Sequence, residues 1–270
     1  MPPDASEDGR HHVEYGDAAV ALPNEILRSV VGSGVHGIAI PGTDDHDELG
    51  VYVEPPSYLL GITEHREDYI WRTQPEGARS GHGDTDLVLY GLRKYLRLAV
   101  KGNPTVLLPL FAPESDLVTV TPLGLELRER RGWFLSQQAV RRFLGYMASQ
   151  RDRMLGRRGG APSRPELVER HGWDTKYGSH ALRLAIQGYE IATTATLTLP
   201  MPVEQRERVL AVKRGEVPRD DVLAEIESLE RQVEELLAAG RCPLPEFAAE
   251  SQISAWSVEA HQRHWASTTG

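Results

Sequence analysis

The chain has a single cysteine, Cys242, which excludes an internal disulfide and a cysteine-built zinc site and agrees with a reducing compartment. Any metal must therefore be held by carboxylates, with histidine as a helper. No stretch approaches the roughly 18 uninterrupted apolar residues of a membrane span. The polar start MPPDASEDGRHH also lacks the apolar core of a secretory leader. A cytoplasmic protein without a membrane partner is expected. Positive charge is in deficit too: a formal charge of −9 argues against a uniformly basic surface that grips nucleic acid. Internal repeats and low-complexity tracts are missing, so a repeat architecture is not expected.

What is present fits an ordinary globular chain, with 40% hydrophobic and 26% charged residues in 270. Residues 1–20 read as a loosely docked arm. In Pro23–Val31 the apolar residues Ile26, Leu27, Val30 and Val31 fall at helix spacing, with Pro23 and Asn24 suited to a helix start. The chain then breaks at Gly32, Ser33 and Gly34. Ile38 to Ile40 reads as a short strand, Pro41-Gly42 as a turn and Gly50 to Val53 as the returning strand. Signals are weak from Glu54 to Gly83. Asp84 to Tyr90 (DTDLVLY) reads as a further strand, passing into a helix in which Leu92, Leu96 and Ala99 form one stripe and Arg93, Arg97 and Lys101 another. After Pro122 the pattern is helical: Val140 to Met147, Ser179 to Thr194, a helix ending near Gly215, and one opened by Pro218. Val222, Ile226, Leu229, Val233 and Leu236 form its packing stripe. The expected fold class is α+β, with a sheet-bearing domain over residues 21–125 and a mostly helical domain over 126–270.

The chemistry concentrates in Val31 to Glu54, VGSGVHGIAIPGTDDHDELGVYVE. Asp45 and Asp47 lie at i and i+2, which on a strand puts both carboxylates on one side, within reach of a single divalent cation. Magnesium favours a few carboxylates plus water and substrate phosphates. A third carboxylate from a neighbouring strand would complete the site: Asp86 is the candidate and Asp84 the runner-up. Gly32 and Ser33 are small enough to let backbone and hydroxyl groups approach phosphate oxygens. Asp44 is out of phase with the other two acids, and His46 is turned away from their side. His36 reads as loop packing.

The order Gly-Ser, then Asp-x-Asp running into Gly-Val-Tyr-Val, resembles the DNA polymerase β-like nucleotidyltransferase superfamily. GSGVHGIAIPGTDDHDELGVYVEPP and GDTDLVLYGLRKYLRLAVKGNPTVLLPLFAP together resemble its branch of bacterial and phage nucleotidyltransferases, some of which sit beside RNA ligases. KYGSHALRLAIQGYEI looks like the helical portion of that family. The resemblance implies a polymerase β-like domain, with a small mixed sheet and flanking helices, followed by helices completing the cleft. It implies Asp45, Asp47 and Asp86 as ligands of Mg²⁺ or Mn²⁺, Gly32 and Ser33 as phosphate contacts, and transfer of a nucleoside monophosphate from an NTP to an acceptor hydroxyl. Relatives often carry arginine where this chain has Gly34 and Leu49.

Outside the motif, Lys176, His180 and Arg183 fall on one side of a helix, as nucleotide contacts or as interior residues. The basic residues Arg93, Lys94, Arg97 and Lys101 form an acceptor or nucleic-acid contact or a solvated helix face. The basic loop Arg151 to Arg164 closes over nucleic acid or is a linker. The acceptor is read as an RNA or tRNA end, with a protein or a small molecule as the alternative. The rival reading is a catalytically weak nucleotide-binding module. Oligomeric state is not legible from the sequence.

Overall fold

The computed structural model describes residues 13–42, 45–75, 81, 83–157, 159 and 163–268. The chain divides into two compact units: Met1–Val100 with Thr105–Trp133 and Ala249–Gly270, and Lys101–Pro104 with Phe134–Ala248. The first unit runs through β1 (Val13–Tyr15), α1 (Ala18–Ala21), β2 (Glu25–Val30), α2 (Gly32–His36), β3 (His46–Tyr52), α3 (Pro56–Leu60), β4 (Asp68–Arg72), β5 (Thr85–Gly91), α4 (Leu92–Val100), α5 (Leu108–Phe111), β6 (Leu117–Val120) and α6 (Pro122–Glu129). The second is helical, with α7 (Gln137–Met154), α8 (Pro165–His171), α9 (Thr175–Thr194), α10 (Val203–Arg214) and α11 (Arg219–Ala238). The last helix, α12 (Glu250–Thr268), belongs to the first unit. A mixed sheet followed mostly by helices is the α+β class expected from the sequence.

The sheet order is β1-β4-β5-β3-β2-β6, with β3 and β5 parallel and every other pair antiparallel. One face is sealed by Tyr52, Tyr69, Trp71, Leu87 and Leu89 packing with Ala21 of α1. Helix α4 buries Leu92, Tyr95, Leu96 and Ala99, the stripe read from the sequence with a tyrosine added.

Two local expectations are corrected. Residues 23–31 do not form a helix: they contain β2, which lies between β3 and β6 and is buried from Glu25 to Ser29. A strand covered on both faces need not alternate, so its consecutive apolar residues imitate helical spacing. Asn24, expected to start that helix, donates its side-chain amide to the Val20 carbonyl oxygen at 2.8 Å instead. Ile38 to Ile40 is not a strand either. Gly37 at φ 71° ends the single turn of α2, and the Ile38 amide donates to the Ser33 carbonyl at 3.1 Å, closing that turn rather than joining a ladder.

In the second unit α9 is the hub, packed by α7, α10 and α11. Asp174 starts it by accepting from the Lys176 and Tyr177 amides, both at 3.1 Å. Gly178 lets the Trp173 ring press onto the helix, where a Cβ would lie 2.2 Å from the indole. Val222, Ile226 and Val233 are buried, which matches the packing reading of the α11 stripe.

Helix α12 is tied to the first unit by charge as well as packing. Arg263 donates to both Glu126 carboxylate oxygens at 2.8 Å, and Trp256 Nε1 donates to one of them at 3.2 Å. The Arg263 guanidinium, with Trp256, outweighs burial and holds the Glu126 carboxyl down to about 2. A depressed carboxyl contributes stability that is present above its unfolded value of 4.5 and lost as the pH falls toward 2. Because both side chains are partly solvated, Arg263→Met is expected to cost only about 1 kcal/mol at pH 7. In thermal melts across pH, the gap between variant and wild type should close below pH 4.5.

Candidate active site

The parallel pairing of β3 and β5 sets Asp47 directly beside Asp86. Adjacent parallel positions project side chains to the same face, so the two carboxylates are neighbours by register alone. Asp45 precedes β3 in phase with Asp47. Ligand atoms from Asp45, Asp47 and Asp86 all lie within 4.8 Å of one another, each residue being half-buried. Like charges about 4 Å apart repel by about 4 kcal/mol at an effective dielectric near 20, so the trio favours a cation among them. An all-oxygen carboxylate set suits a hard divalent ion such as Mg²⁺ or Mn²⁺.

The backbone around the trio is built to match. The Val31 amide donates to the Asp47 carbonyl at 2.8 Å and the His46 amide to the Asp84 carbonyl at 2.9 Å, joining the turn after β2 and the start of β5 to β3. Gly32 then sits on the Asp47 side chain at φ 62°, where a Cβ would lie 2.2 Å from Oδ2. Both the left-handed backbone and the close approach require glycine. The Ser33 Oγ beside it is buried and has no hydrogen-bond partner among the described residues. A buried orphan hydroxyl is costly unless something polar reaches it, and a phosphate oxygen is such a partner.

Of the two acids proposed for the third position, Asp86 joins the trio. Asp84 is otherwise engaged: Oδ1 accepts from Thr73 Oγ1 at 3.1 Å and Oδ2 from the Gly81 amide at 2.9 Å. Asp44 lies outside the described residues. His46 points away from the acids, as its strand phase requires. Its Nε2 lies 2.8 Å from Glu48 Oε1, and this hydrogen bond raises its pKa. His36 is 1% exposed, an interior residue of α2. Leu49 is buried in β3 and Gly34 is exposed on α2, so neither position offers a cation.

The basic stripe of α4 is partly neutralised within its own unit. Lys94 Nζ meets Asp68 Oδ2 at 2.7 Å over the Tyr90 ring, and Arg97 pairs with Glu67 at 2.6 Å. Arg93 is exposed on α4, and Lys101 is exposed just past its last residue. In the second unit Lys176, His180 and Arg183 all lie on α9. Burial, with the charges of Arg183, Lys176, Arg164 and Lys213, holds His180 well below its ordinary pKa, so it is neutral at pH 7. Arg183 is brought down to about 10 by burial, remains charged, and donates to Gln187 Oε1 at 3.2 Å.

Arg72 and Gln74, at the end of β4, also reach the acidic trio. The sequence reading missed both, because they fall in the weak stretch between Glu54 and Gly83. The alternation in DYIWR, residues 68–72, is the strand signal that would have drawn attention to this segment.

Against known families, a model described as RNA repair pathway DNA polymerase beta family (RlaP) matches residues 11–264. No curated protein matches the chain. No helix among the described residues is long and apolar enough to cross a membrane.

Proposed function

The chain belongs to the RNA repair pathway DNA polymerase beta family, and from that membership we propose that it transfers a nucleoside monophosphate from an NTP to the hydroxyl of an RNA end, tRNA included. The observation that carries this reading is the meeting of Asp45, Asp47 and Asp86 beside Gly32 and the orphan Ser33 hydroxyl. The trio would hold Mg²⁺ or Mn²⁺, which neutralises phosphate charge and makes the acceptor hydroxyl easier to ionise. Gly32 leaves room for the phosphates, and the Ser33 hydroxyl donates to a phosphate oxygen. Asp86 helps to activate the acceptor hydroxyl, whose proton leaves to that carboxylate or to solvent as its oxygen bonds to the α-phosphorus and pyrophosphate departs. Positioning and charge compensation supply most of the rate. Lys176, His180 and Arg183 are proposed as nucleotide contacts on the resemblance of their segment, and Arg93, Lys94, Arg97 and Lys101 as acceptor contacts on their charge. Each group is testable on its own by nucleotide or RNA affinity after substitution.

The experiment is incubation with each α-labelled NTP, Mg²⁺ or Mn²⁺, and total cellular RNA, with protein and small-molecule acceptors in parallel. Labelled RNA is the expected product. Label on protein or a small molecule alone would overturn the RNA assignment. The rival reading, a nucleotide-binding module with weak catalysis, draws on the missing arginines at positions 34 and 49. Nucleotide-dependent thermal stabilisation without labelling of any acceptor would favour it.

A further inference from the structure

The segment Arg72-Thr73-Gln74, at the end of β4, touches both candidates for the third carboxylate and treats them differently. Thr73 is bound to the β5 side at three points. Its amide donates to the Thr85 carbonyl at 3.1 Å, its Oγ1 accepts from the Thr85 amide at 2.9 Å, and the same hydroxyl donates to Asp84 Oδ1 at 3.1 Å. Together with the Gly81 amide on Oδ2, that contact commits both oxygens of Asp84 to the turn before β5. Gln74, 6% exposed, donates Nε2 to Asp86 Oδ1 at 2.6 Å. Arg72 stands opposite Asp86 in the antiparallel register, with its Nε 3.6 Å from that same oxygen.

Both contacts from β4 therefore converge on one oxygen of Asp86. A carboxylate gripped at Oδ1 by a buried amide loses its rotational freedom, which fixes how it faces Asp45 and Asp47. Partners of this kind orient a ligand and tune its strength without touching the metal themselves.

We propose that Gln74 is a positioning residue that selects Asp86 as the third carboxylate of the site, while Thr73 keeps Asp84 out of it. The inference rests on the metal-dependent reading above and deepens it. An amide suits the task because it donates without adding charge, so Asp86 stays available to a divalent cation. Arg72 adds a positive charge at the rim and offsets part of the repulsion among the three acids.

The test is a Mn²⁺ titration of the full chain followed by electron paramagnetic resonance of the free ion, in wild type, Asp47→Asn, Gln74→Leu and Gln74→Glu, with circular dichroism to verify folding. Wild type should bind Mn²⁺ and Asp47→Asn should not. Gln74→Leu, similar in size but without the donor, should bind about 10- to 100-fold more weakly. Gln74→Glu, which adds a carboxylate at the same place, should bind more tightly than wild type. A residue that only filled space would not move affinity in opposite directions in these two variants. Wild-type affinity in folded Gln74→Leu, or in Gln74→Glu if the leucine variant does not fold, overturns the positioning role while leaving the metal site intact. Equal binding by wild type and Asp47→Asn overturns the metal site itself, and the inference with it.

Discussion

Asp47→Asn is expected to lower nucleotidyl transfer by about a thousandfold or more while leaving the fold intact. Asp47 is central to the trio: it is beside Asp86 in the β3–β5 register, in phase with Asp45, and covered by Gly32. On the proposed reading, replacing one charged oxygen by an amide nitrogen removes one of three carboxylates that would hold the cation, and its negative charge with it. Metal stabilisation of transition-state charge amounts to several kcal/mol, and about 4 kcal/mol is about a thousandfold in rate. The fold should not suffer. Without a metal, removing one of three mutually repelling carboxylates should leave the melting temperature unchanged or higher, whereas added Mg²⁺ with NTP should stabilise wild type and not the variant. The measurements are single-turnover label transfer and paired thermal melts. Wild-type transfer by the folded variant would dismiss the trio as the catalytic centre.

The largest expected effect on stability lies one strand away. Arg28 on β2 is 5% exposed and bridges two buried acids, with Nε 2.8 Å from Glu25 Oε1 and Nη1 2.9 Å from Glu48 Oε2. Burial by itself would raise Glu48, but His46 and Arg28 outweigh it and hold its carboxyl below the ordinary range. Arg28→Met keeps the bulk of the side chain but leaves Glu25 and Glu48 without their shared cation inside the sheet. Breaking a buried pair from one side costs about 3–5 kcal/mol, because Glu25 is left buried without its cation and Glu48 keeps only its hydrogen bond to His46. That is a large share of the roughly 5–15 kcal/mol that holds a typical domain together. Urea denaturation should show the loss as a lower midpoint. The triple substitution Arg28→Met with Glu25→Gln and Glu48→Gln should recover part of it, since amides bury more cheaply than carboxylates. A change below 1 kcal/mol in the single variant would mean that water reaches these acids.

Much of this protein is legible from local rules, and the places where they fail share a cause. Helix ends were readable because glycine and proline act locally: Gly215 caps α10 at φ 76° and Pro218 precedes α11. The β2 strand was misread because what surrounds it is distant in sequence: β3 and β6 pair with its edges, and α5 and α6 pack against it. The phase of Asp45 and Asp47 was readable because side chains alternate along a strand with a period of two. The sequence named Asp86 with Asp84 as runner-up, since both share that phase; what separates them is tertiary, because Asp86 meets Asp45 and Asp47 whereas Asp84 is bonded to Thr73 and Gly81.

The sequence by itself determined the reaction class, through a Gly-Ser turn, an Asp-x-Asp strand and a third acid whose spacing resembles one nucleotidyltransferase family. It also limited any metal to oxygen ligands, having one cysteine. Only the tertiary structure decided which acids meet, that the Ser33 hydroxyl has no partner among the described residues, and which neutral amide donates to Asp86. Composition and period are properties of a segment, whereas a hydrogen bond from Gln74 to Asp86 exists only once β4 and β5 are paired in one register.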